Sequence, residues 1–295
     1  MTLCILGTVE GRESVNQTLL SVNKLYNSNR KKIVTTTAQK NFYLMLNLSR
    51  FLCVYLLGLL LGAEENVGKS GDCSKPEPQS FDAVTIFEEE LAKFFGSKYA
   101  VGTDCATHGI ELSLRYLMKT GMLNKETVVE IPKRTYISIP FLGEKLGLNW
   151  VWKDERWQDY YYVGGTNVID AAVLWKENSY VANTMMAVSF QFQKHLSLGR
   201  GGVILLDNLE ASVELRKMVY DGRERGVGWR SQNITSVGYH YYMTPEIAEL
   251  GMGKLPAKIV EVPRKWTVAD WPDLSEMAVF ASKKMSVNGQ DGGIV

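Results

Sequence analysis

The amino-acid sequence predicts an α/β fold, a largely parallel sheet covered by helices on both faces. Three observations carry this: short apolar segments recur from about Asp82 onward, stretches of helical periodicity alternate with them, and turn-forming residues separate the two kinds. Thr85-Ile-Phe-Glu88 reads as a capping box opening a helix, with Ile86, Phe87, Leu91, Phe94 and Phe95 turned inward. KYAVGT (98–103) reads as a short strand. Thr107 to Met118 reads as a second helix with Ile110, Leu114, Leu117 and Met118 on one face. Further strands are expected at TVVEIP (127–132), NWVWK (149–153), TNVIDAA (166–172), MMAVSF (185–190) and GGVILL (201–206). Such short apolar strands suit a sheet buried on both sides.

Composition bounds the function classes. The 295 residues are 45% hydrophobic and 22% charged, enough apolar material for a substantial core. Lysine and arginine number 33 against 32 acidic residues, a net charge of +1, and the longest basic run is Arg30-Lys31-Lys32. No nucleic-acid-binding surface is expected from that balance. Four scattered cysteines without CxxC spacing and three dispersed histidines argue against a structural metal site and for a reducing, cytoplasmic setting. FLCVYLLGLLLGA (51–63) is strongly apolar, but thirteen residues make ~20 Å of helix against a ~30 Å hydrocarbon core. A buried or subunit-contacting helix is the expectation there, and a membrane anchor over 41–63 the alternative. A polar connector, ENVGKSGDCSKPEPQS, follows. Its Gly68-Lys69-Ser70 resembles the end of a phosphate-binding loop, but Ala63 stands where the motif needs glycine.

Three segments carry chemistry. Lys194 lies in a loop between a strand ending near Phe190 and the Gly-rich turn Gly199-Arg-Gly-Gly202. A lysine desolvated there becomes a nucleophile toward an aldehyde; a solvated loop lysine is the plain alternative. Asp170 closes the apolar strand Val168-Ile-Asp170, at the sheet edge where open α/β folds place ligands, though such an acid also serves as a helix cap. Thr103-Asp-Cys-Ala106-Thr107 is a strand-to-helix turn whose free N–H groups and Thr107 hydroxyl suit a phosphate, or a simple N-cap. Together these supply an anion seat, a partner for a pyridine nitrogen and an amine, the set that pyridoxal phosphate requires.

With these segments in view the sequence resembles the DegT/DnrJ/StrS-type family of nucleotide-sugar aminotransferases. FEEELAKFFGSKYAVGTDCATHGIELSL is similar to that family's opening helix, strand and phosphate turn. IPKRTYIS resembles its strand end carrying the ring-stacking aromatic, here Tyr136. VIDAA matches its EDAA acid motif at Asp170, and SFQFQKHLSLGRGG matches its SFxxxKxxxxGxGG lysine motif at Ser189 and Lys194. GYHYYMTPEIAELGMGKL resembles its GxNxRMxxxxAAxGxxQL segment. The likeness runs from about Phe81 to Leu255.

The chain also departs from that pattern. His240 replaces the expected Asn, which in the family comes from the neighbouring subunit to hold the cofactor phosphate. Tyr242 replaces the Arg before Met243, Val173 a polar residue, and Arg200 a Glu. Only 34 positions separate Tyr136 from Asp170, so about one βα unit of the family core is expected to be missing.

The resemblance implies the three-layer, aspartate-aminotransferase-like fold (fold type I), with a mixed, mostly parallel sheet and a C-terminal domain reduced or absent. It divides the chain into a divergent region with an apolar helix and linker (1–80), a cofactor-binding large domain (81–255) and a remnant C-terminal segment (256–295). It implies a homodimer that uses pyridoxal 5'-phosphate to move an amino group, usually from glutamate, onto a nucleotide-linked keto-sugar. Lys194 would hold the cofactor and shuttle a proton, and Asp170 would keep the pyridine nitrogen protonated. Tyr136 would stack on the ring, and Ala106, Thr107, Ser189 and His240 would seat the phosphate. Two alternatives share this fold: a dehydrating relative, in which histidine replaces the lysine, and a non-catalytic, degenerate copy.

Overall fold

A computed structural model describes residues 81–283 of the chain. The apolar stretch 51–63 and Gly68-Lys69-Ser70 lie outside them. Chain contacts divide the protein at Gly71, and every described residue belongs to the unit Asp72–Val295.

Helix α1 (Asp82–Phe95) buries Val84, Phe87, Glu88, Leu91, Phe94 and Phe95. It starts earlier than the capping box predicts. Thr85 is therefore interior, and its hydroxyl bonds back to the Phe81 carbonyl at 3.3 Å instead of capping. Ile86 is 50% exposed, a second correction. Glu88 takes the inward slot, held by Arg216, by Arg225 at 3.5 Å and by the Gly102 N–H at 2.7 Å. Gly96 ends the helix at φ 82°, a left-handed position that glycine adopts freely.

Strand β1 (Tyr99–Thr103) leads into α2 (Ala106–Lys119), which buries Ile110, Leu114 and Leu117 but leaves Met118 41% exposed. Next come β2 (Val129–Pro132), α3 (Ser138–Lys145), β3 (Trp150–Lys153), β4 (Tyr161–Tyr162), β5 (Val168–Asp170), β6 (Met185–Ser189), β7 (Gly202–Leu206) and α4 (Leu209–Val219). Helix α5 (Pro245–Val260) begins with proline at its first position, where the missing N–H costs nothing.

The main sheet has the order β1-β7-β6-β5-β4, and β2 and β3 form a separate parallel pair. The sheet is mixed as expected, but within it only β5 and β6 pair in parallel. One reversed strand explains most of the difference. β7 lies between β1 and β6 and runs against both, so two antiparallel pairings arise although β1, β5 and β6 share a direction. Alternation along β7 builds two cores. Ile204 and Leu206 join α2 and α4, while Val203 and Leu205 join α1 and α5. This is the three-layer arrangement of helices on both faces of a sheet.

Chain beyond α5 returns to the same body. Leu274 and Phe280 are buried, Phe280 edge-on to Trp152 at 5.2 Å. Among the described residues no helix is long and apolar enough to cross a membrane.

Candidate active site

The loop from Phe190 to Gly201 is fastened at both ends and from within. Phe190 N–H donates to the Gly201 carbonyl at 2.9 Å, Leu198 N–H to the Phe190 carbonyl at 2.9 Å, and Leu196 and Leu198 are buried beneath. The Lys194 N–H closes a turn onto the Gln191 carbonyl at 2.8 Å. Apolar anchors so close in sequence fix where the lysine side chain emerges. Burial lowers the Lys194 pKa from the ordinary lysine value and the nearby Arg264 charge adds to this, while the Asp170 carboxylate opposes it. An amine in that state is neutral more often than a solvated lysine, which is what a nucleophile toward a carbonyl needs.

Asp170 is 6% exposed at the end of β5. Its Oδ2 accepts from the Tyr161 hydroxyl at 2.5 Å and its Oδ1 from the Ala172 N–H at 2.9 Å. Burial raises the carboxyl, while those two bonds and the Lys194 charge hold it down. A carboxylate offers about four acceptor positions, so capacity remains for a third donor. Sequence reasoning missed Tyr161, whose hydroxyl also pairs with Thr135.

Aromatic side chains surround the lysine. Its ammonium lies 5.0 Å from the Trp266 ring centroid and 5.6 Å from that of Trp271. Tyr136, 55% exposed, meets Trp271 edge-on at 6.2 Å, and Trp157 lies 6.4 Å from the same ring. The Trp271 indole N–H is buried without an acceptor among the described residues. These two tryptophans fall in the segment read as a remnant; the density of aromatics in KWTVADWP was the signal available for them.

The turn read as a phosphate seat is built by close approach. A Cβ on Gly202 would lie 2.5 Å from the Ala106 nitrogen, so only glycine lets β7 sit against the start of α2. Register places Ser189 and Thr103 on either side of Gly202, which brings Ser189 and Ala106 to the same end of the sheet. The Thr107 hydroxyl lies 2.8 Å from that of Ser138, so two helix starts meet there; α2 has no side-chain cap, whereas α3 carries Pro140 in its first turn and bonds its Ile139 N–H to the Tyr136 carbonyl. Ser138 was not anticipated. The Ser189 hydroxyl accepts from the Gln191 N–H at 3.3 Å.

Charge gathers beside this turn. Asp104 accepts from His108 Nδ1 at 2.6 Å and from Arg200 Nη2 at 2.6 Å, and His108 stacks on Tyr241 at 3.6 Å. Burial would lower the His108 imidazole, but Asp104 and Cys105 beside it raise it to about 9. Asp104, Cys105 and His108 bring ligand-type atoms within 4.8 Å of one another, a proximity the histidine spacing did not suggest. Arg200 already occupies one Asp104 oxygen, and its charge opposes a cation there.

His240 is not among these groups within one chain. Its side chain is 70% exposed and meets Asp221 Oδ2 at 3.0 Å. The neighbouring backbone does reach the turn, with Asp104 N–H donating to the Tyr241 carbonyl at 2.8 Å. His195, adjacent to the lysine, bonds the Lys258 carbonyl at 2.9 Å at the end of α5, so its imidazole serves a helix terminus.

Residues 78–152 match the sequence model of the DegT/DnrJ/EryC1/StrS aminotransferase family, in agreement with the resemblance carried by the motifs. An uncharacterised protein of Methanocaldococcus jannaschii is 24% identical over 249 residues, 68% of this chain and 64% of its own. Among solved structures, AtS13 from Actinomadura melliaura is similar at a TM-score of 0.50 and 19% identity, covering 60% of each chain. The sugar aminotransferase CalS13 from Micromonospora echinospora is 15% identical at a TM-score of 0.49, covering 65% of this chain and 67% of its own. This chain thus spans about three-fifths of the length of the first two relatives. The fold is the mixed, three-layer fold type I arrangement expected from the sequence, in a reduced form.

Proposed function

We propose that this protein is a pyridoxal 5'-phosphate enzyme that transfers an amino group, from glutamate, to a keto-sugar carried on a nucleotide. The observation that carries the reading is the pairing of a desolvated Lys194 with a buried Asp170 beside two converging helix starts. The match of residues 78–152 to an aminotransferase family supports it.

The residues present fit the cofactor. Ala106, Thr107, Ser189 and the neighbouring Ser138 offer N–H and hydroxyl donors for a phosphate, and the tight contact at Gly202 keeps them together. Asp170 has acceptor capacity for a protonated ring nitrogen, and Tyr136 stands 55% exposed with a face available to a flat ring. Trp271 adds a buried donor without an acceptor among the described residues. When bound, the cofactor supplies the electron sink into which a substrate carbon releases its bonding pair. Lys194 would hold the cofactor, and its Nζ as a free amine would carry a proton between substrate and cofactor carbons. Asp170 would hold the proton on the ring nitrogen, while the Tyr161 hydroxyl and Ala172 N–H orient the carboxylate and oppose the upward shift that burial gives it. The indoles of Trp266 and Trp271 lie over the Lys194 amine and partly cover it. We further propose a homodimer, in which the exposed His240 reaches a second copy.

The test is to load the full chain with pyridoxal phosphate, reduce it with borohydride and map the modified peptide. Attachment at Lys194, with a visible spectrum that changes on adding glutamate, is the expected result. Attachment to another lysine defeats the site, and an unchanged spectrum with glutamate defeats the choice of donor.

A further inference from the structure

The segment Arg264–Trp271 crosses the candidate site and is fastened along its length. Asp159 N–H donates to the Trp266 carbonyl at 3.1 Å, and Val268 N–H to the Trp157 carbonyl at 3.2 Å. Thr267 and Asp270 form a reciprocal capping box, and Arg264 pairs with Asp270. Arg134 Nη1 donates to the Trp271 carbonyl at 3.1 Å, and Leu274 N–H to the Lys133 carbonyl at 2.8 Å. Two loops, the one after β2 and the one before β4, therefore hold this strap in register with Lys194.

So fixed, the strap presents two indoles to one amine, stacked on each other with centroids 5.9 Å apart. Its second indole carries a buried N–H with no acceptor among the described residues. A donor held beside the Lys194 amine without a protein partner among the described residues is available to an acceptor brought by a ligand.

We propose that Trp266 and Trp271 are ligand-binding residues of the Lys194 site. They form an electron-rich wall for a flat, electron-poor ring, and Trp271 Nε1–H donates to an oxygen that ring carries. This rests on the reading of Lys194 as the cofactor lysine and adds binding residues to it. The arrangement favours a ring over an aliphatic ligand, because indole faces attract electron-poor π systems and cations alike.

The experiment uses pyridoxamine 5'-phosphate, which lacks the aldehyde and so binds without attachment to Lys194. Its affinity for the full chain, Trp271→Phe and Trp266→Leu is measured by quenching of tryptophan emission. Losing one hydrogen bond, or one stacking face, should weaken binding about tenfold. Wild-type protein carrying 15N-labelled tryptophan reads the same contact without relying on a variant's folding, since an indole N–H resonance should move downfield when the probe binds. Unchanged affinity in both variants, with pyridoxal phosphate still attached to Lys194 in the wild type, overturns this proposal alone. Failure of the wild type to take up either compound overturns the cofactor reading and this proposal together. A red-shifted tryptophan emission on binding, meaning indoles expelled into water, also overturns it.

Discussion

Tyr161 donates its hydroxyl to Asp170 Oδ2 at 2.5 Å inside a buried pair. The tyrosine's own pKa is pushed well above its usual value by burial and by the Asp170 charge, so it stays a donor across the accessible pH range. Burial raises Asp170 and this bond lowers it, so removing the hydroxyl should raise it further. In Tyr161→Phe, cofactor retention should fail at a higher pH on the acid side than in the wild type. Retention titrated against pH in both proteins checks this. Coincident acid limbs would make Tyr161 a packing residue only.

His108 should give the fold a distinct alkaline weakness. Its pKa is raised to about 9 against 6.5 for a free imidazole, so its pairing with Asp104 is worth most below pH 6.5. That stability fades as pH climbs through about 9, by an amount of up to roughly 3 kcal/mol. Thermal melts of the wild type and His108→Gln should therefore differ most near pH 6 and converge by pH 10. A gap between the melts that is independent of pH would assign the effect to the Tyr241 stack instead.

These two groups show what the sequence could and could not disclose. That Asp170 ends a strand, and that Lys194 follows one in a loop leading to glycines, was legible because both positions sit at changes of pattern. The reversal of β7 was not, since an apolar strand reads the same in either direction. Ile86 and Glu88 traded places because helical spacing alone does not reveal that Arg216 and Arg225 arrive to neutralise a buried acid. Arg200 registered as a departure from a motif, yet its meaning depends on Asp104, 96 positions earlier. Trp266 and Trp271 matter through a return of the chain over Lys194, some seventy positions after it, and no local pattern encodes such a return.

Glycine should be indispensable at 202 and dispensable at 253. In Gly202→Ala the new methyl would meet Ala106 N at 2.5 Å and the Cys105 carbonyl carbon at 2.7 Å, both backbone atoms that cannot swing aside. A loss of about 1–3 kcal/mol is expected, with weaker phosphate binding as α2 is pushed away from β7. Gly253 lies within α5, exposed, and a methyl group added there would meet no neighbour, so Gly253→Ala should stabilise by about 0.4–1 kcal/mol. Denaturant unfolding separates the two. Equal stability of Gly202→Ala and wild type would show that the contact relaxes freely.

In the proposed dimer, His240 would connect the site to assembly. Its turn is set by glycine, because a Cβ on Gly238 would fall 1.7 Å from the Gly222 nitrogen, and that contact holds the segment against Asp221. The imidazole then points outward, 70% exposed, tied through Nδ1 to Asp221. Its Nε2 has no hydrogen-bond partner among the described residues and can meet a group from a second copy. An imidazole N–H can replace the amide donor that the family motif places here. If a second copy presents its phosphate turn to that nitrogen, His240→Ala should weaken cofactor retention several-fold while shifting the melting temperature little, since the exposed ring adds little packing. Asp221→Ala, which frees the ring to rotate, should give a smaller loss of the same kind. Sedimentation of the loaded wild type should show a dimer. A monomer that keeps its cofactor equally well with and without His240 would detach this residue from the site.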